Sequence, residues 1–510
     1  MKSGSRTHRT IRNSQVSLIL FLIQIFIGFY SRKVFLDYLN AEVLGMNTTL
    51  GNILSFLNLA ELGIGIAMST SLYKPIKNDK KEEICDIISI QGYYYRKIAI
   101  ILAIISVPVC IVLGFFFANT SVSLTYMAIS FYVFLSGSLF SYLWNYRQVL
   151  IEADQKNYKL MPWIHAIRYT KIFLQIVFLK YLNLGMWGWI GMEMVGNVLT
   201  VFAINYVLKK EYPWLRKSGK DKKTLLVSYA YLKTKTKQVF VHKLGSFVLE
   251  QTAPLIIYAY VSLTMVTYYC NYMIIIGYAA SMLNVIFEGM GASIGNLIAE
   301  NNKKHSLDVF WELFTSRMWI AAIVSFSVYV CVTPFVKIWL GEQYQLSAIT
   351  VLLMVIGMFI RITRSVIDSF KNAFQLFGDV WAPIAEASLN LGGSVLLGYF
   401  WGLNGILIGS NLSLVIIVLL WKPYYVFKNG FRESSAKYFI QYVLHLAIII
   451  GCALLTLVLF DVSDSFNSHI WSFVFVIAIY AVSLYVFLLV FTGGMKRFTK
   501  RVFRLICKDR

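Results

Sequence analysis

Runs of about 20 apolar residues recur along nearly the whole chain, each long enough to cross a ~30 Å hydrocarbon core. In lipid the backbone has no water to bond with, so such runs must close their hydrogen bonds internally, as helices do. The polar remainder is too small for an ordinary globule. Charged residues make up 14% of the 510, against about 25% in soluble domains. The fold class expected is an all-α polytopic membrane protein. Its spans fall at about 14–37, 49–72, 98–118, 123–146, 160–181, 186–208, 244–262, 266–290, 314–336, 347–370, 383–400, 404–421, 438–460 and 470–492. That is about 14 transmembrane helices. The first run has a short basic segment before it and no convincing small-residue cleavage site, so it reads as a retained span.

The formal net charge of +22 could signal nucleic acid, but its placement argues for topology. With the N-terminus inside, most of the 47 Lys and Arg fall in the two tails and the cytoplasmic connections. Lys74–Lys97, Lys209–Lys243 and the closing KRFTKRVFRLICKDR carry many of them. The orientation is therefore N-in/C-in, with an even number of spans and no nucleic-acid partner. The exceptions are Arg32, Lys33, Arg168, Lys171, Lys180, Lys337, Arg361 and Arg364. The six cysteines are scattered without a C-x-x-C pair, which gives no sign of a disulfide framework or zinc site. No H-E-x-x-H, P-loop or G-x-S-x-G motif is present, and the external connections are short. The chain is therefore expected to move a substrate without altering it. A membrane polymerase or ligase would need a large external loop.

The sequence reads as a duplication. FLNLAELGIGIAMS around Glu61 is echoed by MLNVIFEGMGASIG around Glu288, each followed by a hydrophilic connection. Ala153-Asp154 matches Gly378-Asp379, and the Gly185, Gly188, Gly191 series matches Gly402, Gly405, Gly409. All three share an offset of about 220 residues. Six spans per copy keep both copies in one orientation, as two lobes about an axis along the membrane normal with a path between them. The expected divisions are an N-lobe over 1–208, a basic cytoplasmic connection over 209–243, a C-lobe over 244–428, and two additional helices with a basic tail over 429–510. The glycine series is read first as close helix packing.

Charges inside spans are costly and are functional candidates by default. Arg168 and Lys171, like Arg361 and Arg364, are spaced i, i+3, which puts two cations on one helix face. Arg32 ends the first span. Arg364 can instead neutralise Asp368 at i+4, and Arg168 and Lys171 can snorkel to the cytoplasmic surface. A cavity lined by such cations suits an anionic substrate, since arginine binds phosphate oxygens in a bidentate manner. A multidrug antiporter for organic cations would want the opposite sign. Glu61 has two readings: a coupling carboxylate for a proton or cation, or a structural partner for Arg32 or Arg168. Glu288 is its echo.

The stretch SRKVFLDYLNAEVLGMNTTLGNILSFLNLAELGIGIAMSTSLYKPI resembles the N-terminal signature of the bacterial polysaccharide transporter family. The resemblance rests on Arg32, Leu44-Gly45, Ala60-Glu61-Leu62-Gly63, Leu72-Tyr73-Lys74-Pro75 and Ala153-Asp154-Gln155-Lys156-Asn157-Tyr158. It departs from the pattern at Glu288, which no Leu-Tyr-Lys-Pro follows. The family comprises flippases for lipid-linked repeat units of O-antigen and capsule, within the multidrug/oligosaccharidyl-lipid/polysaccharide superfamily. The resemblance implies a MATE-like fold of two six-helix lobes, often with two further helices. It also implies a multi-pass protein of the bacterial cytoplasmic membrane that carries an undecaprenyl-diphosphate-linked oligosaccharide from the inner to the outer leaflet by alternating access. No cofactor is implied beyond a proton or sodium gradient; the implied partners are membrane lipids, a polysaccharide polymerase and chain-length machinery. Under this reading Arg32, Arg168, Lys171, Arg361 and Arg364 bind substrate, and Glu61 and Glu288 are coupling or structural carboxylates. The same-fold alternatives are a flippase for a peptidoglycan or teichuronic-type precursor and a MATE-type multidrug antiporter.

Overall fold

Asn40 shows how the chain turns between apolar helices. Its backbone takes a left-handed φ of 68° in the middle of α1 (Ser3–Leu57). Its side-chain Oδ1 accepts from the backbone N–H groups of Glu42 and Val43 at 3.0 and 3.1 Å. Asn40 therefore ends one helix and N-caps the next, so the first two expected spans meet at a single residue. The computed structural model describes residues 3–508 except 62, 119, 238–239, 241–250, 288–293, 296, 299, 301, 375, 377 and 461–469. Every regular element among the described residues is helical. Glu288 lies outside the described residues. The chain divides into two units, Met1–Tyr258 with Ser262–Thr267, and Ala259–Val261 with Tyr268–Arg510.

In the first unit, α1 is followed by a 3-10 turn (Asn58–Glu61), α2 (Ile64–Lys77), α3 (Lys81–Phe116), α4 (Leu124–Leu143), α5 (Gln148–Ala153), α6 (Asn157–Lys180), α7 (Gly185–Glu211) and α8 (Lys222–Ser228). Ser123 caps α4 by accepting from the N–H of Tyr126. α6 packs on α7 and α1, and α4 on α3 and α7. Two apolar cores result, one around Met68, Ile87, Tyr142 and Ile151, the other around Phe35, Met46, Phe131 and Leu135.

The connection after α7 is held against this unit by the buried Asp86. That carboxylate accepts from Ser218 Oγ at 2.5 Å, Lys220 Nζ at 2.6 Å and Tyr229 Oη at 3.1 Å.

The second unit contains α11 (Lys303–Leu340), α12 (Ala348–Ala373), α13 (Trp381–Ser413), α15 (Ala436–Leu459), α16 (Ile470–Phe491) and α17 (Gly493–Lys508), after α9 (Ala253–Tyr260) and α10 (Leu263–Phe287) earlier in the chain. The short α14 (Lys422–Val426) lies between two wide π-helical stretches, Leu414–Trp421 and Phe427–Phe431. α13 folds back on itself at Trp401 and Gly402, where Gly402 takes a φ of 53° that glycine adopts without steric cost. The two arms then approach so closely that a Cβ on Gly409 would strike the Gly393 backbone, and one on Gly405 the Leu397 carbonyl. This is the small-residue packing read from the sequence. In the first unit Gly188 abuts Leu184 and Phe178, whereas a Cβ at Gly185 or Gly191 would meet open space. Phe310, Phe314, Phe370, Phe427, Phe431 and Tyr438 form an aromatic core, in which Phe310 meets Phe370 and Phe427 edge-to-face and stacks on Phe314.

Eight helices among the described residues are long and apolar enough to cross a membrane. The stretch Trp381–Phe431 among them spans two of the expected crossings, because α13 doubles back. Phe115, Val458 and Trp471 stand almost fully exposed, as side chains facing lipid do. This is a multi-pass membrane protein.

Candidate functional site

The helix containing Glu61 does not run through it. Asn58–Glu61 forms a 3-10 turn, and α-helix resumes at Ile64. Such a change inside a span marks a place where it can bend. Three hydrogen bonds tie the break to neighbouring helices. Asn58 Nδ2 donates to Ser138 Oγ at 2.7 Å, Tyr142 Oη donates to Asn58 Oδ1 at 2.9 Å, and Tyr95 Oη donates to Glu61 Oε1 at 3.0 Å. The Tyr95 and Tyr142 rings meet edge-on at 5.2 Å. Gly63 sits so close to the Thr236 carbonyl and Phe240 that a side chain there would collide with them. The partner the structure gives Glu61 is thus a buried phenol, in place of the Arg32 or Arg168 guanidinium.

The intramembrane cations divide by what faces them. Lys171 on α6 is half-buried, and its Nζ donates to Glu193 on α7 at 2.7 and 2.8 Å. Gln175 Nε2 adds 3.2 Å to the same carboxylate, and Gly196 makes room for the Lys171 stem. This is a locally neutral pair. Arg168, one turn away, is exposed and donates to the neutral Gln24 at 3.3 Å. Arg32 is half-buried on α1.

In the second unit Arg364 Nε donates to Asp368 at 2.8 Å, and its Nη1 lies 3.6 Å from Glu386. Lys422 Nζ completes the group, 3.4 Å from Asp368 and 3.8 Å from Glu386. Two cations and two carboxylates balance there, with Glu386 and Lys422 both buried. Arg361, one turn before Arg364, is exposed and forms no ion pair among the described residues. Each i, i+3 pair is therefore split into one compensated cation and one without a carboxylate partner.

Asp154 and Asp379, matched to one another in the sequence, are anchored alike. Asp154 lies 2.7 Å from Lys156 and accepts from Tyr212 Oη at 2.9 Å. Asp379 accepts from Lys371 Nζ at 2.5 and 2.7 Å and from Trp421 Nε1 at 3.4 Å. Each holds a helix end through one lysine and one aromatic donor. Sequence reasoning passed over Glu193, Glu386 and Lys422. Glu193 and Glu386 carried a usable signal, since both stand alone in apolar runs as Glu61 does.

No family model matches the chain, and no curated protein sequence matches it. Solved structures do. The inward closed conformation of the lipid II flippase MurJ aligns over 92% of this chain and 98% of its own, with a TM-score of 0.63 at 14% identity. An inward-facing multidrug resistance MATE family transporter of the MOP superfamily aligns over 80% and 94%, with a TM-score of 0.54 at 13% identity. The chain shares the fold of these two structures. That fold accounts for the long apolar helices.

Proposed function

We propose that the chain is a flippase that translocates undecaprenyl-diphosphate-linked oligosaccharide repeat units across the bacterial cytoplasmic membrane, for O-antigen, capsule or exopolysaccharide synthesis. The observation that carries this reading is the split of the cation pairs. Arg168 and Arg361 keep guanidinium groups without a carboxylate partner on apolar helices, while Lys171 and Arg364 are held by Glu193 and by Asp368 with Glu386. A diphosphate offers both the charge and the geometry an arginine fork takes up. An organic cation would be repelled by the same two groups, which disfavours the multidrug alternative. The polyprenyl tail stays in the bilayer while the headgroup crosses by alternating access. Arg32, on α1, is assigned to the same headgroup.

Arg168→Ala and Arg361→Ala, each expressed at wild-type level, are expected to cut export of surface polysaccharide by about tenfold or more, the scale of one lost hydrogen bond to a charged group. Normal export in both variants refutes the assignment. A second reading, a flippase for a peptidoglycan-type precursor, is favoured by the fold likeness to MurJ over nearly all of both chains. Gene deletion separates the two. A complete oligosaccharide repeat unit held on the cytoplasmic leaflet supports the first, and accumulation of the cell-wall precursor supports the second.

A further inference from the structure

The last helix folds back on the one before it. Tyr485 Oη on α16 lies 2.9 Å from Thr499 Oγ1 on α17, although 14 positions separate them. A straight helix would put them about 21 Å apart, so the chain bends sharply between Phe491 and Gly493. α17 thus leaves the axis of a membrane-crossing helix at the point where that helix ends. Its sequence GGMKRFTKRVFRLICK holds six cations and no acidic residue. At 100° per residue the six fall on one side, with Phe498 and Val502 on the other.

Topology asks only that such charge stay on one side of the membrane. The arrangement found is more specific. Arg497 and Arg501, one turn apart, pair with Asp308 and Glu312, one turn apart on α11, each at 3.2 Å. Gly494 packs so close to the Trp311 carbonyl and Thr315 that a Cβ would collide with them. These contacts fix α17 against α11 and neutralise two of its arginines. Lys500 and Arg504 are exposed and form no ion pair among the described residues.

Between the two helices lies a cleft of about 950 Å³, the size of a small-molecule site. Ile294, Leu297 and Phe498 give it an apolar side, and Lys500 and Arg504 line it from α17. Glu300 and His305 line it as well, so two cations outside ion pairs meet one such carboxylate. Val490 and Phe491 just before the bend, and Phe503 beyond it, are exposed. Apolar side chains beside cations in this way suit a helix lying at the boundary of headgroups and acyl chains.

We infer that the cleft binds an anionic phospholipid of the adjoining leaflet, with its phosphate on Lys500 and Arg504 and the start of its acyl chains along Ile294, Leu297 and Phe498. A soluble phosphate would use the cations and leave the apolar side wet. A zwitterionic lipid would bring its own ammonium against them. A lipid held there bridges α17 to α11. The inference rests on this unit alone and does not depend on the substrate proposed above.

The test uses the purified full-length chain in detergent, with Tm measured as dioleoyl phosphatidylglycerol or dioleoyl phosphatidylcholine is added. A ligand bound only by the folded state raises Tm with its concentration, and a rise of a few degrees is expected with phosphatidylglycerol alone. Each basic residue near anionic lipid strengthens association roughly fivefold. Lys500→Gln with Arg504→Gln should therefore raise the phosphatidylglycerol needed for a given response by roughly 20-fold. Lys304→Gln with Lys496→Gln removes the same charge outside the cleft and should leave the response intact. Should the first double variant fail to fold, Val502→Glu, which brings a carboxylate to the exposed side of the cleft, should abolish the response. Arg168→Ala with Arg361→Ala should retain it; loss there would put the lipid on the proposed substrate arginines and overturn the cleft assignment. Equal Tm in the two lipids overturns the inference, as does a full response in the cleft variants. An equal rise with inorganic phosphate or glycerol 3-phosphate overturns the choice of a lipid.

Discussion

Replacing Lys422 with Met would remove the ammonium that lies 3.4 Å from Asp368 and 3.8 Å from Glu386. Arg364 would then face both carboxylates alone, and Glu386, at 3% exposure, would be left near surplus negative charge. A unit charge pair at about 4 Å is worth ~4 kcal/mol at an effective dielectric near 20. Two such contacts are lost, and relief from burying the ammonium returns part of the loss. The net cost expected is about 3–5 kcal/mol, the range for breaking one partner out of a buried pair. In a folding unit of this size that lowers Tm by on the order of 10 °C. Glu386→Gln reverses the imbalance by leaving an excess cation, and a loss of similar size is expected. The double variant Lys422→Met with Glu386→Gln restores neutrality around Arg364 and Asp368. Its Tm should lie above that of either single variant. Thermal melts of the four proteins in one detergent complete the cycle. Losses that simply add would show that Lys422 and Glu386 do not interact, and the balanced network would be refuted.

Glu193→Gln should leave Lys171 facing a neutral amide and lower thermal stability, whereas Lys171→Met with Glu193→Leu should recover most of the loss in the same melt. Gly409→Ala, which pushes a methyl into the Gly393 backbone, is expected to cost about 1–3 kcal/mol by overpacking, read as a lower Tm, while Gly191→Ala, which meets open space, should change it little. Asp86→Asn removes the charge that holds Lys220 and weakens the acceptor of Ser218 and Tyr229. Limited trypsin digestion should then cut within 209–243 several-fold faster than in wild type.

Fold class was legible because it follows from a bulk property. Apolar runs of membrane length leave few structures open, and every regular element among the described residues is helical. Helix ends were less legible. Asn40 turns the chain within a sequence that reads LDYLNAEVLG, and only its φ and the two N–H groups it caps reveal the turn. The break at Asn58–Glu61 was likewise hidden inside an expected span, where Glu61 stood out as a charge but nothing marked a change of helix. For the site, local spacing exposed the Arg364–Asp368 pair at i, i+4. It could not expose Lys171–Glu193 or Lys422–Glu386, whose partners lie on different helices. Intramembrane charges are visible one by one in a sequence, but their compensation depends on helix rotation, which hydropathy leaves undetermined.

That dependence changes what a charge inside a span means. Counting Arg168, Lys171, Arg361 and Arg364 from the sequence gives four cations on two helix faces. Counting them with Glu193, Asp368 and Glu386 leaves two, one on each of α6 and α12. The compensated member of each pair lies one turn beyond the uncompensated one. A paired cation beside an unpaired one is an arrangement with a physical use. The ion pair fixes the helix against its neighbour, which holds the adjacent arginine in place without consuming its charge. Lys171 bound to Glu193 on α7 would in this way position Arg168, and Arg364 bound to Glu386 on α13 would position Arg361. If so, disrupting the ion pairs should weaken export even where the exposed arginines are intact. Restoring neutrality with apolar side chains should then recover stability ahead of transport. A structural pair alone would recover both together.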